Sequence, residues 1–336
     1  MRQAKFFSII VSVIVLGYGA IGFYFLPMAS FQGDLTRIGM LPESQFGWRK
    51  PQPAIDPKLM QQSSMQEADV LVIGDSFSDS RVWQTALTQR GLKVRTEPWD
   101  SMRGVCADIM PWLRARGFAG RYVVLEFIER NLSDELNRSV ACQHLQYHPN
   151  AMTDTPYSPP AVSFDPDYSN RNGRLSVGIQ TALNLRKIEN MGNTLDTGLT
   201  ISLNDAKVAR MKNGCELFSH RHCGEALFLG KDQAGEMGEE VLKNIEVLNS
   251  RLNGTIPIWA FVPNKSTAYL YPDKQFWNEA ERRFGAPNLL RMTRQAIGEK
   301  TVDLYPANNT HFSTTGYLLV GEEIFKTMQQ IQQHSR

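Results

Sequence analysis

The chain has 336 residues, 42% of them apolar, and a formal net charge of +2. That is enough apolar material for one large domain or two modest ones. The near-neutral charge, with no block of like charges, excludes the clustered basic excess of a nucleic-acid-binding surface. The first segment, Phe6 to Leu26, reads FFSIIVSVIVLGYGAIGFYFL without a charge, and about 20 such residues span a bilayer core. Arg2 and Lys5 precede it, and no Lys or Arg follows until Arg37. The positive-inside rule then predicts a cytoplasmic N-terminus (1–5), a signal anchor (6–26) and an exported remainder. A cleaved signal peptide is the competing reading. The apolar run is longer than such a peptide needs, and Pro27-Met28-Ala29-Ser30 is a poor cleavage site.

Residues 27–66, mixed and carrying Pro, Gln and Ser, read as a linker. The run 68–73 (ADVLVI), stopped by Gly74, predicts a buried strand. A helix over 80–89, a strand over 92–97, a helix over 106–116 and a strand over 121–128 (RYVVLEFI) follow. Residues 133–215 break this rhythm with clustered Pro, Asn and Tyr, and read as an irregular insertion holding one helix near 177–190. Tyr147, Tyr157 and Tyr168 of this region suit either loop packing or stacking on sugar rings. Helices over 234–252, 275–284, 287–297 and 313–333 and strands over 256–262 and 301–305 complete the chain. Strands alternating with helices predict a mostly parallel sheet covered on both faces, within one domain over about 67–330.

The four cysteines, Cys106, Cys142, Cys215 and Cys223, fit two disulfides outside the cytosol. Cys215 and Cys223 bracket a short closable loop, which leaves Cys106 and Cys142 to each other. His220 and His222 inside that loop make a zinc site the competing idea, although the spacing is not a standard zinc pattern.

Two segments carry chemistry. In Ile73-Gly74-Asp75-Ser76-Phe77-Ser78 a serine stands between a buried strand and a helix. Open parallel sheets bind ligands beyond the carboxyl ends of their strands, and backbone N–H groups of such a turn suit an oxyanion. A plain helix N-cap by Asp75 or Ser76 is the alternative. In Asn308-Asn309-Thr310-His311-Phe312-Ser313 a histidine stands between the last strand and the last helix. A serine hydroxyl needs an adjacent base, and His is the usual one.

Gly74-Asp75-Ser76 near the start and the His311 segment near the end resemble the SGNH hydrolase superfamily. Several stretches are similar, more narrowly, to the polysaccharide O-acetylation proteins typified by the alginate O-acetyltransferases. These are Gly33-Asp34-Leu35-Thr36-Arg37, Gly74-Asp75-Ser76-Phe77, Glu129-Arg130-Asn131, Pro263-Asn264-Lys265-Ser266-Thr267 and Asn309-Thr310-His311-Phe312-Ser313. The resemblance implies a three-layer α/β/α, flavodoxin-like domain in the periplasm, anchored in a bacterial inner membrane. It implies Ser76 as nucleophile and His311 as its base, with neither metal nor organic cofactor. It further implies acetyl transfer, through a seryl ester, to a secreted or cell-envelope polysaccharide, beside a multi-pass membrane acyltransferase that supplies the acetyl group.

The chain departs from that pattern in two ways. Asn309 stands where the alginate proteins carry the Asp of Asp-x-His, and Asn308 stands where simple hydrolases place an Asp three residues before the His. Asn309 can orient an imidazole through its amide carbonyl; Asp303 is the alternative orienter. The Ser motif also precedes the His motif, in the order of ordinary SGNH hydrolases. For the oxyanion the resemblance implies the N–H of Ser76, Gly104 from a second block and Asn131 from a third. Arg130 suits the anion or a sugar, or else pairs locally with Glu129. Lys265 lines the cleft or is a solvated loop lysine. Acyl transfer, deacetylation of envelope glycans by the same residues, and a non-catalytic polysaccharide-binding role in an export complex are the three functional expectations.

Overall fold

Residues 2–148, 174–191, 200–232 and 235–334 are described by a computed structural model. In chain order it begins with α1 (Arg2–Phe25), a turn of 3-10 helix (Leu26–Ala29), α2 (Asp34–Gly39) and α3 (Glu43–Phe46). Then come β1 (Val70–Gly74), α4 (Ser76–Asp79), α5 (Thr85–Thr88), β2 (Val94–Pro98), α6 (Trp99–Met102), α7 (Ile109–Ala115), β3 (Tyr122–Ile128) and α8 (Glu129–Ala141). The middle holds α9 (Leu175–Met191), β4 (Thr200–Leu203), β5 (Ala206–Arg210), α10 (Gly214–Leu217) and β6 (Glu225–Leu229). The chain continues through α11 (Glu239–Arg251), β7 (Ile256–Val262), α12 (Lys265–Tyr269), α13 (Phe276–Phe284), α14 (Leu289–Gly298) and α15 (Thr314–His334).

These elements group into two compact units. The first takes residues 1–51, 160–231 and 306–310; the second takes 52–159, 232–305 and 311–336. The second unit holds a four-stranded sheet of order β2-β1-β3-β7, parallel throughout. β1 and β3 are near-continuous apolar runs because both of their faces are covered. Alternate residues go to opposite sides. Leu71, Ile73, Val123, Leu125, Phe127, Trp259 and Phe261 pack with residues of α7, α8, α11 and α13. Val70, Val72, Tyr122, Val124, Ile258 and Val262 pack with α14 and α15. The strand alternation and the two apolar helix layers are therefore one fact: each residue step flips the face.

The first unit holds an antiparallel sheet of order β4-β5-β6. Its core joins Leu203, Val208, Leu227 and Leu229 of the strands to Leu35, Leu41, Phe46 and Ile188. Residues 27–66, expected as a linker, thus contribute α2 and α3 to a packed core. Within the stretch 133–215, expected to be irregular save for one helix near 177–190, that helix is α9, and the end of α8 with β4 and β5 adds further regular structure. Those short strands carry Lys207 and Arg210, which hid their apolar alternation.

Two further expectations need correction. Residues 301–305 form turns rather than a strand, since Lys300 and Asp303 adopt left-handed φ of 59° and 56°, a conformation incompatible with an extended ladder. The helix expected over 80–89 shrinks to the single turn of α5, because Arg81 takes φ 59° and breaks the run after α4. Both disulfides form as expected, Cys106–Cys142 in the second unit and Cys215–Cys223 in the first. α1 is long and apolar enough to cross a membrane, and none of that apolar window is buried by protein.

Candidate active site

Ser76 opens α4 two residues past the end of β1, and His311 lies three residues before α15. The two meet: Ser76 Oγ stands 2.8 Å from His311 Nε2. The imidazole lies against Phe77, ring centroids 4.6 Å apart, and Phe77 in turn meets Phe312 and Tyr317 edge-on. The His311 ring is thus held by an aromatic cluster whose members flank both motifs. Ser76 itself is exposed, so a carbonyl can reach its Oγ. A hydroxyl at hydrogen-bond distance from an imidazole is the arrangement required for base-assisted nucleophilic attack.

The turn that presents Ser76 is tied down from within. Asp75 caps α4, its Oδ1 accepting the Phe77 N–H at 2.9 Å, while its Oδ2 accepts the Ile128 N–H at 2.7 Å from the end of β3. The N–H groups of Ser78 and Asp79 both go to the Asp75 carbonyl. Of the N–H groups expected for an oxyanion, those after Ser76 are therefore spent inside the turn, leaving that of Ser76. Gly74 is obligatory here: a Cβ would lie 2.3 Å from Ser78 Oγ and 2.8 Å from Glu126 Oε2.

Glu126 of β3 was not singled out from the sequence, although a lone carboxyl in the apolar run YVVLEFI was the available signal. It is fully buried, and its Oε2 accepts the Asp75 N–H at 3.1 Å and the Ser78 hydroxyl at 2.7 Å. Burial pushes the Glu126 carboxyl well up, and the neighbouring Asp75 charge pushes it further. Burial also raises Asp75, against the pull of the Phe77 and Ile128 N–H groups and of Arg130. Both carboxyls are thus pushed towards the protonated form, Glu126 the more strongly. Asp79 is raised to about 6, by burial and then by the charges of Asp75 and Asp100.

The other expected residues fall as follows. Gly104 adopts φ 146° two residues beyond α6, and a Cβ there would press on Ser139 at 3.1 Å. The loop is further held by the Val105 N–H on Ser139 Oγ and by the Arg251 guanidinium on the carbonyls of Val105, Ser139, Val140 and Cys142. Arg130, half-buried at the start of α8, donates to Asn264 Oδ1 at 3.3 Å. Its neighbour Glu129 pairs instead with Lys274 and accepts the Asn264 N–H. Asn131 is exposed on α8, and Lys265, 1% exposed, is not a solvated loop lysine. Asp303 is fully buried in the same unit as Ser76 and His311. Asn309 belongs to the other unit, where its N–H donates to the Pro306 carbonyl. Cys215 and Cys223 are engaged with each other, which removes the thiolates a zinc site in that loop would need. Tyr147 donates to Glu97 and packs on Trp112, the loop-packing alternative; Tyr157 and Tyr168 lie outside the described residues.

Within the first unit the segment before His311 is clamped by the Gly33–Arg37 motif. Asp34 accepts the Thr310 N–H at 2.9 Å and also the Thr310 hydroxyl; the Leu35 N–H donates to the Asn308 carbonyl at 3.0 Å. Glu43 accepts from Gly33, Thr36 and the Asn308 amide. These two motifs, far apart in sequence, therefore form one hydrogen-bonded cluster.

A polar cleft of about 610 Å³ follows the ends of β2 and β3, lined by Trp99, Asp100, Arg103, Glu135, Arg138 and His148. Asp100 and Glu135 are near enough to the nucleophile turn that Asp100 raises Asp79 and Asp75 raises Glu135, after burial in each case. Comparison with protein-family models, curated proteins and solved structures finds no match to this chain.

Proposed function

We propose that the protein is a serine-dependent O-acyltransferase of SGNH type, acting on a secreted or cell-envelope polysaccharide from the periplasmic face of the inner membrane. The observation that carries this reading is the 2.8 Å contact of Ser76 Oγ with His311 Nε2 at the carboxyl end of a central parallel strand. In the first half-reaction His311 takes the Ser76 proton, Oγ attacks the acyl carbonyl, and the oxyanion is met by the Ser76 N–H with Gly104 and Arg130 as further candidates; collapse breaks the bond to the donor's leaving group, His311 gives that group its proton, and acyl-Ser76 remains. In the second, the now neutral His311 takes the proton of a sugar hydroxyl, whose oxygen attacks the ester; collapse breaks the acyl–Oγ bond, releases the acylated sugar, and His311 returns the proton to Ser76 Oγ. Asp303, a buried acidic residue in the same unit as His311, is our candidate orienter of the imidazole. The Asp100–Glu135 cleft offers the carboxylates and guanidinium groups that bind sugar hydroxyls.

The test exposes the full chain in detergent to an activated acetyl ester and follows intact mass, with Ser76→Ala beside it and with mixed oligosaccharides added. Acetyl-Ser76 that clears faster with glycans supports the transferase. Clearance at one rate regardless of glycan identifies an esterase of envelope glycans. Absence of any Ser76-dependent acetyl species leaves the non-catalytic polysaccharide-binding reading.

A further inference from the structure

One helix face in the first unit has no role in the site above. α9 is held on one side by the core: Thr181, Asn184 and Ile188 are buried, and the Asn184 amide donates to the carbonyls of Gly39 and Met40. The opposite side of the same helix carries Ile179, Leu183, Arg186 and Asn190, spaced i, i+4, i+7, i+11, which is one stripe of an α-helix. Ile179 is 36% and Leu183 48% exposed. Exposed aliphatic residues are ordinary singly; two on one stripe, one turn apart, leave an apolar strip facing outward.

The position of α9 says what covers that strip. Its first turn lies on the end of α1: a Cβ at Gly178 would stand 1.9 Å from the Phe25 carbonyl oxygen, so only glycine permits the approach. Phe25 is the last residue of the apolar helix, preceded by Phe23 and Tyr24, which are 71% and 62% exposed. Aromatic residues at the end of a span mark the lipid–water interface. Gly178 is therefore at that level, Ile179 is the next residue, and Leu183 is about 7.5 Å further along the axis at 1.5 Å per residue. Interfacial helices bury their apolar face by about 5–10 Å, with basic residues on the polar border. Arg186 and Lys187, both exposed, stand one turn beyond Leu183.

We infer that α9 is a membrane-surface helix: Ile179 and Leu183 enter the lipid interface beside the end of α1, and Arg186 and Lys187 meet anionic headgroups. The inference rests on α1 spanning the bilayer. It gives the first unit a second, continuous contact with the membrane, where a single helical anchor alone would leave it on a swivel.

The experiment uses the full chain reconstituted in phosphatidylethanolamine–phosphatidylglycerol vesicles. Every described cysteine is disulfide-bonded, so single cysteines introduced as Ile179→Cys, Leu183→Cys or, as control, Lys212→Cys take an environment-sensitive fluorophore alone. Flotation with the vesicles reports α1 separately. With flotation intact, the expected result is blue-shifted emission at 179 and 183, quenched several-fold more by spin-labelled lipid than at 212, and weakened by Arg186→Glu with Lys187→Glu. Emission at 179 and 183 equal to that at 212 overturns the inference. A blue shift without lipid quenching overturns it in favour of a protein partner, including a second copy. Loss of flotation removes the anchor and the inference with it.

Discussion

Glu126 shows how one residue couples a strand to the turn that carries Ser76. Glu126→Gln keeps the shape of the side chain and an acceptor oxygen for the Asp75 N–H and the Ser78 hydroxyl. We expect Glu126→Gln to fold and to acylate at near the parent rate. Glu126→Ala removes both acceptors and opens a cavity, at about 3 kcal/mol by chemical denaturation. Asp79 gives a pH signature. Its folded value of about 6 lies above the ordinary 3.8, so its stabilising contribution is full below about pH 4 and is lost as pH rises through 6. Asp79→Asn cannot ionise; it should raise Tm at pH 7 by about 2 °C and leave Tm at pH 4 unchanged. That corresponds to on the order of 1 kcal/mol after discounting for solvent screening of a partly exposed group. For the base, Asp303→Asn should lower acylation about 10²- to 10⁴-fold, as loss of an orienting carboxylate does, whereas Asn309→Ala leaves it intact. The reverse pattern in single-turnover acylation would restore Asn309 as orienter. These residues differ in legibility. Ser76 was readable because it stands between a strand and a helix; His311 was readable from its motif just before the last helix, although the strand expected before it is a turn. Glu126 was not, because nothing in a strand sequence says which turn packs beside it.

At the scale of elements, two disulfides close loops of different length. Cys106–Cys142 spans 36 residues and Cys215–Cys223 spans 8. Chain entropy assigns them about 4 and about 2.5 kcal/mol. Removing the first pair as Cys106→Ala with Cys142→Ala should therefore lower stability more than removing the second, in urea titrations of the two double variants. The first pair also ties the Gly104 loop to the end of α8, as Arg251 does through its four carbonyl contacts, so its loss should slow acylation as well. The parallel strands were legible as apolar runs stopped by turn residues. The stretch 301–305 was misread because buried Leu304 and Tyr305 supply a strand-like pattern, while the left-handed backbone at Asp303 is set by its surroundings. β4, β5 and β6 were missed because short antiparallel strands with charged residues carry little periodicity of their own.

At the scale of the molecule, the chain makes each of its two units from separated segments. The Gly33–Arg37 motif and the segment 306–310 share one cluster, although more than 260 residues separate Thr310 from its partner Asp34. The apolar helix sets the expected location: the full chain should resist alkaline carbonate extraction from membranes, and its folded part should be cut by protease added outside spheroplasts. Release by carbonate, or protection from that protease, would each contradict the periplasmic anchor.

The sequence by itself determined what is local: a 21-residue apolar span, strand periodicity, an even cysteine set, a serine just past the first strand and a histidine just before the last helix. Those features are legible because each depends on neighbours a few residues away. Tertiary structure alone decided that Ser76 meets His311, that buried Glu126 accepts from the turn carrying Ser76, that α2 and α3 belong to a core, and that α9 leans on the end of α1. Each of these depends on desolvation and contact between segments far apart in the chain, which no local spacing encodes.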